Sequence, residues 1–141
     1  MMTLCSDVLK ALKGKTLATA ESCTGGGIGT AITAVAALPI GVIAGINYRR
    51  RVAEAEIGYC IGRNWWHRGI MSEALAAVIK YLFEEVGMNR VAARHDSNNP
   101  HSGGVMKKCG MRYEGTSRQS DRNNQGICDE SIYAILKKEY K

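Results

Sequence analysis

The stretch Ala55–Glu85, AEIGYCIGRNWWHRGIMSEALAAVIKYLFEE, carries three signals in one run. Ala55, Ile57, Tyr59 and Ile61 alternate with Glu56, Gly58 and Cys60, the period-two pattern of a strand with one apolar face. A glycine inside that strand, Gly58, marks a bulge or a close approach of something to the backbone. A basic, aromatic turn follows from Arg63 to Arg68, and Gly69 opens a longer segment. There Met71, Leu75, Val78, Leu82 and Val86 recur at helical spacing, broadened by Ala74, Ala77 and Tyr81, until Gly87 ends the helix. A helix opened by glycine presents unpaired N–H groups and the positive end of its dipole, an arrangement suited to a phosphate or pyrophosphate.

Working outward, Ile40 to Asn47 and Ala53 to Ile61 form two strands joined through Arg49, Arg50 and Arg51, most simply as an antiparallel hairpin. Upstream, Leu4, Val8, Leu9 and Leu12 give a helix ended near Gly14, and Lys15 to Ala20 a short strand. Ser22 to Gly27 make a glycine-rich break, and Ile28 to Ala36 a second helix stopped by Pro39. Downstream, Arg90 to His95 is a strand, and Pro100 opens a short helix with Val105, Met106 and Cys109 inward. Met111 to Thr116 and Ile127 to Leu136 are strands on either side of a polar turn, Arg118 to Gly126. This predicts an α/β (α+β) chain with a mixed sheet of about six strands, four helices and no repeats.

The whole chain fits one compact unit. It has 141 residues, 45% hydrophobic and 23% charged, with a formal charge of +6, enough for one core and short for two. The basic balance serves RNA, an anionic cofactor or solubility alone. Cys5, Cys23, Cys60, Cys109 and Cys128 are odd in number and lack metal-ligand spacing, so no metal site and no disulfide framework is expected. With neither a run of about 18 apolar residues nor a signal-peptide pattern, the expectation is a cytoplasmic protein that does not enter a membrane.

Several motifs in this chain match a known family. Ala55-Glu56-Ile57-Gly58-Tyr59, Trp66-His67-Arg68-Gly69-Ile70-Met71-Ser72-Glu73-Ala74-Leu75, Asn99-Pro100-His101-Ser102, Lys107-Lys108-Cys109-Gly110-Met111 and Tyr113-Glu114-Gly115 stand in family order over residues 39–141. This part resembles the GNAT family of acetyl-CoA-dependent N-acetyltransferases, most closely its RimJ/RimL-like branch. Residues 1–38 resemble something else. GKTLATAESCTGGGIGTAIT looks like the opening of the CinA-type nicotinamide mononucleotide amidase domain, which implies a single chimeric, man-made domain joined near Ala36 to Ile40.

The GNAT resemblance implies acetyl-CoA as acyl donor, an amine as acceptor, and a partial GNAT-like fold with a grafted helix-strand-helix. Its pyrophosphate is expected on the N–H groups of His67, Arg68, Gly69, Ile70 and Met71, with a hydroxyl from Ser72. The pantetheine arm is expected along Gly58 to Ile61, including Tyr59 and Ile61, and Asn99 and Ser102 are expected at the next loop. The family's pattern differs at Trp66, at Met71 and at His67, where glycine is common. Against these roles stand plainer ones: Gly69 as a turn residue and Asn99 as a helix cap.

Acetyl transfer needs a base for the ammonium and an acid for the leaving thiolate. Glu56, on the strand beside the thioester site, is the candidate base, or else a half-exposed strand carboxylate. Where many family members carry a tyrosine as acid, this chain has Met106, so Ser117 or Tyr133 is the substitute, or the thiolate leaves unassisted. For an amidase, Ser22 would need a base near Tyr48, and the guanidinium of Arg51 cannot serve as one. A catalytically silent chimera is the alternative function. An RNA module built on Arg49 to Arg51, Arg63, Arg68, Trp65 and Trp66 rests on charge and stacking alone. An open sheet edge predicts a homo-oligomer.

Overall fold

A computed structural model of the chain describes residues 41–141. The expected helices at Leu4–Leu12 and Ile28–Ala36, the strand at Lys15–Ala20, and Ser22 with its glycine run lie outside the described residues. Within them the order is β1 (Gly41–Arg49), β2 (Glu54–Ile61), α1 (Ile70–Glu84), β3 (Arg90–Asp96), α2 (Pro100–Lys108), β4 (Arg112–Asn123) and β5 (Gly126–Leu136). One mixed sheet runs β1-β2-β3-β5-β4. Only β2 and β3 are parallel, and a parallel pair needs a crossover, which α1 supplies. The β1–β2 hairpin turns through Arg50–Val52 and closes at Ala53, whose φ is 46°.

Burial of one face fixes the sheet against the helices. Ile43, Ala55, Ile57, Val91, Ala93, Tyr133 and Ile135 meet α1 and α2 in one core. On α1 the inward stripe is Met71, Ala74, Leu75, Ile79 and Phe83. This is rotated from the expected stripe: Val78 and Leu82 pack at its margin, and Val86, beyond the helix end, is 38% exposed. Phe83, the largest fully buried side chain among the described residues, lies in the inward 71-75-79-83 row. Burying Leu75, Ile79 and Phe83 contributes about 1.5–3 kcal/mol each. At Gly87, φ +78° lets the chain turn, and Met88 N–H donates back to the Leu82 carbonyl at 2.8 Å.

The polar turn expected at Arg118 to Gly126 is instead mostly strand. Asp121, Arg122 and Asn123 pair with Cys128, Ile127 and Gly126, after an irregularity between Ser117 and Asp121 where Gln119 takes φ 51°. Most side chains at this hairpin tip are exposed, so the sequence carries no apolar alternation there and reads as loop.

Alternate residues face away from the helices and pair by charge. Glu54, 4% exposed, accepts hydrogen bonds from Arg49 at 2.7 and 2.8 Å and from Arg90, and Arg90 also grips Glu114. Burial opposes the charge on Glu54, but the two guanidinium groups outweigh it and hold its carboxyl below the ordinary value. A bond from Arg90 does the same for Glu114.

Helix α2 sits close to β3 because Gly103 has no side chain. A Cβ there would lie 2.8 Å from Nε2 of His95. That ring cannot easily yield, since its Nδ1–H donates to the Asp96 carbonyl at 2.7 Å and the ring lies tilted against Tyr133 at 5.6 Å between centroids.

Two stability outcomes follow. Glu54→Gln lowers unfolding free energy by about 3 kcal/mol, because it leaves Arg90 without its buried partner. Because the folded carboxyl titrates below its unfolded value of about 4.3, its contribution is complete above that pH and is lost as pH falls through the folded value. Urea midpoints from pH 7 to pH 3 should therefore drop in acid, and less steeply in the variant. Gly103→Ala gains about 1 kcal/mol in helix propensity against a clash that costs about 1–3 kcal/mol, so the expected net is a loss of up to about 2 kcal/mol. A raised urea midpoint would show that α2 has room to move.

Candidate active site

Pairing between β2 and β3 covers four residues, from Glu54 opposite Arg90 to Ile57 opposite Ala93. Beyond this point β2 continues to Ile61 and β3 to Asp96 without touching. The backbone of Gly58–Ile61 therefore keeps an unpaired edge toward β3, while β1 occupies the other side. Tyr59 spans the gap: its phenol donates to the Ser102 carbonyl on α2 at 2.7 Å. Burial raises the Tyr59 pKa, with a smaller push from Cys109, so the phenol stays a donor. Cys109 in turn donates from its thiol to the Ser72 carbonyl at 3.2 Å, joining α2 to α1. Burial pushes the Cys109 thiol up to about 11.

A cavity of about 400 Å³ occupies this opening. Its walls include Tyr59 and Ile61 from β2, His67, Gly69, Ile70, Met71 and Ser72 from the start of α1, and Asn99 and Ser102 from the start of α2. Nine of the ten residues expected to hold a cofactor thus line one space. The tenth, Arg68, lies instead over the Trp65 ring at 5.0 Å. Ile61 contributes differently from expectation, because its carbonyl already accepts the Trp66 indole N–H at 2.9 Å.

The start of α1 is open to this space. No side chain caps it, and Gly69 holds φ +76°. The first intrahelical donor to reach back is Glu73 N–H, which meets the Gly69 carbonyl at 3.0 Å, so the N–H groups of Ile70, Met71 and Ser72 have no acceptor within the helix. A Cβ built on Gly69 meets no atom within 4 Å, so the space beside this helix start is open. His67, where the resembled family commonly has glycine, has a φ of 59°, a left-handed conformation that glycine adopts at less cost. Asn99 stands at the N-cap position of α2, yet its side chain caps nothing. It donates to Ser102 Oγ at 3.2 Å and lines the cavity.

The lining residues outside that expectation include Trp66, His101 and Lys108. Spacing was the available signal for two of them, since positions 101, 104, 105 and 108 fall on one face of a helix. Among the described residues that line the cavity there is no carboxylate. Its fixed donors, a lysine and two histidines fit a phosphate-bearing ligand.

The candidate catalytic residues fall on two faces of the sheet. Glu56 faces away from the helices, held by Arg94 at 3.0 Å, which also reaches Glu130 at 3.6 Å. Ser117 is on that face too, opposite Glu130 on β4. Two strand spacings, about 10 Å, separate β4 from β3. Tyr133 lies on the helix face in register with Ala93, 6% exposed, between the rings of His95 and Tyr113. Met106 is 1% exposed and belongs to the core.

Comparison with known proteins agrees with this geometry. The profile of the acetyltransferase (GNAT) domain matches residues 7–112. The uncharacterized N-acetyltransferase YnaD of Bacillus subtilis (strain 168) is 38% identical over 85 residues, 60% of this chain and 50% of its own length. The [ribosomal protein uS5]-alanine N-acetyltransferase of Escherichia coli (strain K12) is 34% identical over 62 residues, 44% of this chain and 32% of its own. A crystal structure of a probable acetyltransferase superposes with a TM-score of 0.69 at 33% identity, over 72% of this chain and 58% of that one. This chain spans about half the length of YnaD. The family match starts inside the segment that resembles an amidase, and the comparisons give no support to an amidase origin or to a man-made junction. A splayed parallel pair with a bare helix start beside it, and a family profile over residues 7–112, place this chain in the GNAT acetyltransferase family.

Proposed function

We propose that this chain is the acetyl-CoA-binding part of an N-acetyltransferase that moves an acetyl group from acetyl-CoA to an amine. One observation carries the reading: the carboxylate-free cavity where β2 and β3 part sits against the uncapped start of α1. Ile70, Met71 and Ser72 hold the pyrophosphate through backbone N–H groups, Gly69 keeps the approach clear, and Gly58–Cys60 offer a free strand edge to the amide-bearing arm. Asn99 and Ser102 orient the ligand from the α2 side.

Acetyl-CoA supplies the electrophile, a thioester carbonyl. As the amine nitrogen bonds to that carbon and the carbon–sulfur bond breaks, one proton must leave the nitrogen and one must reach the sulfur. Glu56 takes the first, directly or through water, with Arg94 fixing the carboxylate. Tyr133 is the better placed of the two acid candidates, in register with the last paired residue of β3. Ser117 lies two strands out. The uS5-alanine relative supports a protein amine as the first acceptor to try.

Acetyl-CoA in excess over its Kd raises Tm, by about 2.7 kcal/mol of added stability at one hundred times Kd, and free thiol accumulates when an amine is added. A Tm unmoved by saturating acetyl-CoA contradicts the reading. In Glu56→Gln, kcat falls about 10²-fold or more while calorimetric affinity for acetyl-CoA stays unchanged. Gly69→Val weakens that affinity at least about tenfold and also costs about 1–2 kcal/mol of stability for a side chain in the left-handed region. Both are read by calorimetry and urea unfolding of the same preparation.

A further inference from the structure

We propose that the end of the sheet farthest from the cavity is a docking surface for single-stranded RNA, built from Arg50, Arg51, Lys137 and Lys138 beside the exposed ring of Tyr48. It holds the strand by its phosphates and stacks a base on the ring, and it does not depend on the acetyl-CoA reading.

The arginine run between β1 and β2 divides into two kinds of residue. Arg49 works inside the fold, where its guanidinium bonds Glu54 at 2.7 and 2.8 Å. Arg50 and Arg51, in the short turn that follows, are exposed and make no ion pair among the described residues. Their turn is held at both ends, by the Arg49–Glu54 pair and by Ala53 N–H, which donates to the Arg50 carbonyl at 3.2 Å. The end of β5 comes to the same place through Asn89. Its N–H donates to the Ala53 carbonyl at 2.9 Å, and its carbonyl accepts from Lys137 N–H at 2.9 Å. Lys137 and Lys138 thus lie beside the arginine turn, exposed and likewise without an ion pair among the described residues.

Most carboxylates at this end are already held by partners within the fold. Glu54 and Glu114 are gripped by Arg49 and Arg90, Glu139 by Arg112 at 3.1 Å, and Glu84 by Lys80 at 4.0 Å. Among the described residues here, that leaves Glu85 against Arg50, Arg51, Lys137, Lys138 and Lys141. A solvated basic surface is the plainer reading. It accounts for cations mixed with anions, as on the β4–β5 hairpin, where Arg118 and Arg122 share the ribbon with Asp121, Asp129 and Glu130. It does not account for uncompensated ones gathered from two strand ends.

Tyr48 decides which polyanion fits. It precedes the arginines, is 46% exposed and makes no ring contact among the described residues. Fixed cations beside a bare aromatic ring suit a single strand, whose phosphates meet the charges while a base stacks. Docking on an anionic bilayer calls for an amphipathic helix with an apolar face to bury, and these cations stand on two short turns at strand ends. Arg63 and Arg68 take no part: they lie over Trp66 and Trp65 before the start of α1, a helix of 15 residues and so about 22 Å long.

The test is fluorescence anisotropy of a labelled single-stranded RNA of about 20 nucleotides, titrated with the full chain. Four phosphate contacts predict a slope of about −3 in log affinity against log salt, a weakening of about fiftyfold between about 50 and 200 mM salt. Arg50→Gln, Arg51→Gln, Lys137→Gln and Lys138→Gln combined should weaken binding at about 50 mM salt at least about tenfold and flatten the slope to about −1. Tyr48→Ala should weaken it at least about fivefold with the slope unchanged. Arg118→Gln with Arg122→Gln should match wild type, and urea midpoints check that each variant is folded. Wild type that leaves the RNA free at low salt, or a fourfold variant that binds like wild type, overturns the surface. Tyr48→Ala binding like wild type overturns the single-strand reading. Phosphatidylserine vesicles that capture wild type but not the fourfold variant, while RNA binding survives those changes, assign the cations to a bilayer and overturn the proposal.

Discussion

Four residue pairs between two parallel strands set the terms for the rest of this structure. From Glu54–Arg90 to Ile57–Ala93 the strands β2 and β3 are joined. Beyond that they part, and each runs on toward the start of its own helix. Had the ladder continued, the backbone of Gly58–Ile61 would be satisfied and no space would remain between the helix starts. Because it stops, polar backbone lies open beside a cavity, a condition that native interiors avoid unless something fills it. Tyr59 keeps the two sides in a fixed relation through its bond to Ser102, and Cys109 does the same between α2 and α1.

The sheet divides its labour between two faces. Toward the helices it is apolar and closely packed, so Gly103 is needed to let α2 approach. Away from them it carries rows of ion pairs, Arg49–Glu54–Arg90–Glu114 and Glu56–Arg94–Glu130. A buried carboxylate such as Glu54 is costly alone and tolerable only with both guanidinium partners present. The same pairing that holds the strands together also fixes the Glu56 carboxylate one residue before the last paired position of β2, so structural and proposed chemical roles meet on neighbouring positions of that strand.

Much of this could be read from the residues. Alternation in Ala55–Ile61, the glycine at 69 and the proline at 100 gave strand, helix start and helix start, because each is a local constraint on backbone shape. The register of the splay could not be read, since it depends on which residues of β2 and β3 meet. The α1 stripe was misjudged by its edge: both rows are apolar, and only the fit of Phe83 into the core chooses between them. The β4–β5 tip looked like a loop because a ribbon with solvent on both sides has no apolar pattern to show. His101 and Lys108 carry no signal of their own in the sequence, because only the packing of α2 decides which of its faces turns to the cavity. The resemblance to an amidase rested on a short glycine-rich motif, which suits many helix starts. The GNAT match took in most of that segment.

Backbone amide shifts on titrating the labelled chain with acetyl-CoA test the central claim most directly, because they report where the ligand sits whether or not it reacts. A ligand seated where β2 and β3 part should move the resonances of Gly69, Ile70, Met71 and Ser72 most, together with those of Gly58, Tyr59 and Cys60. Saturable binding that leaves these amides in place and shifts the exposed face of the β4–β5 hairpin instead would contradict it.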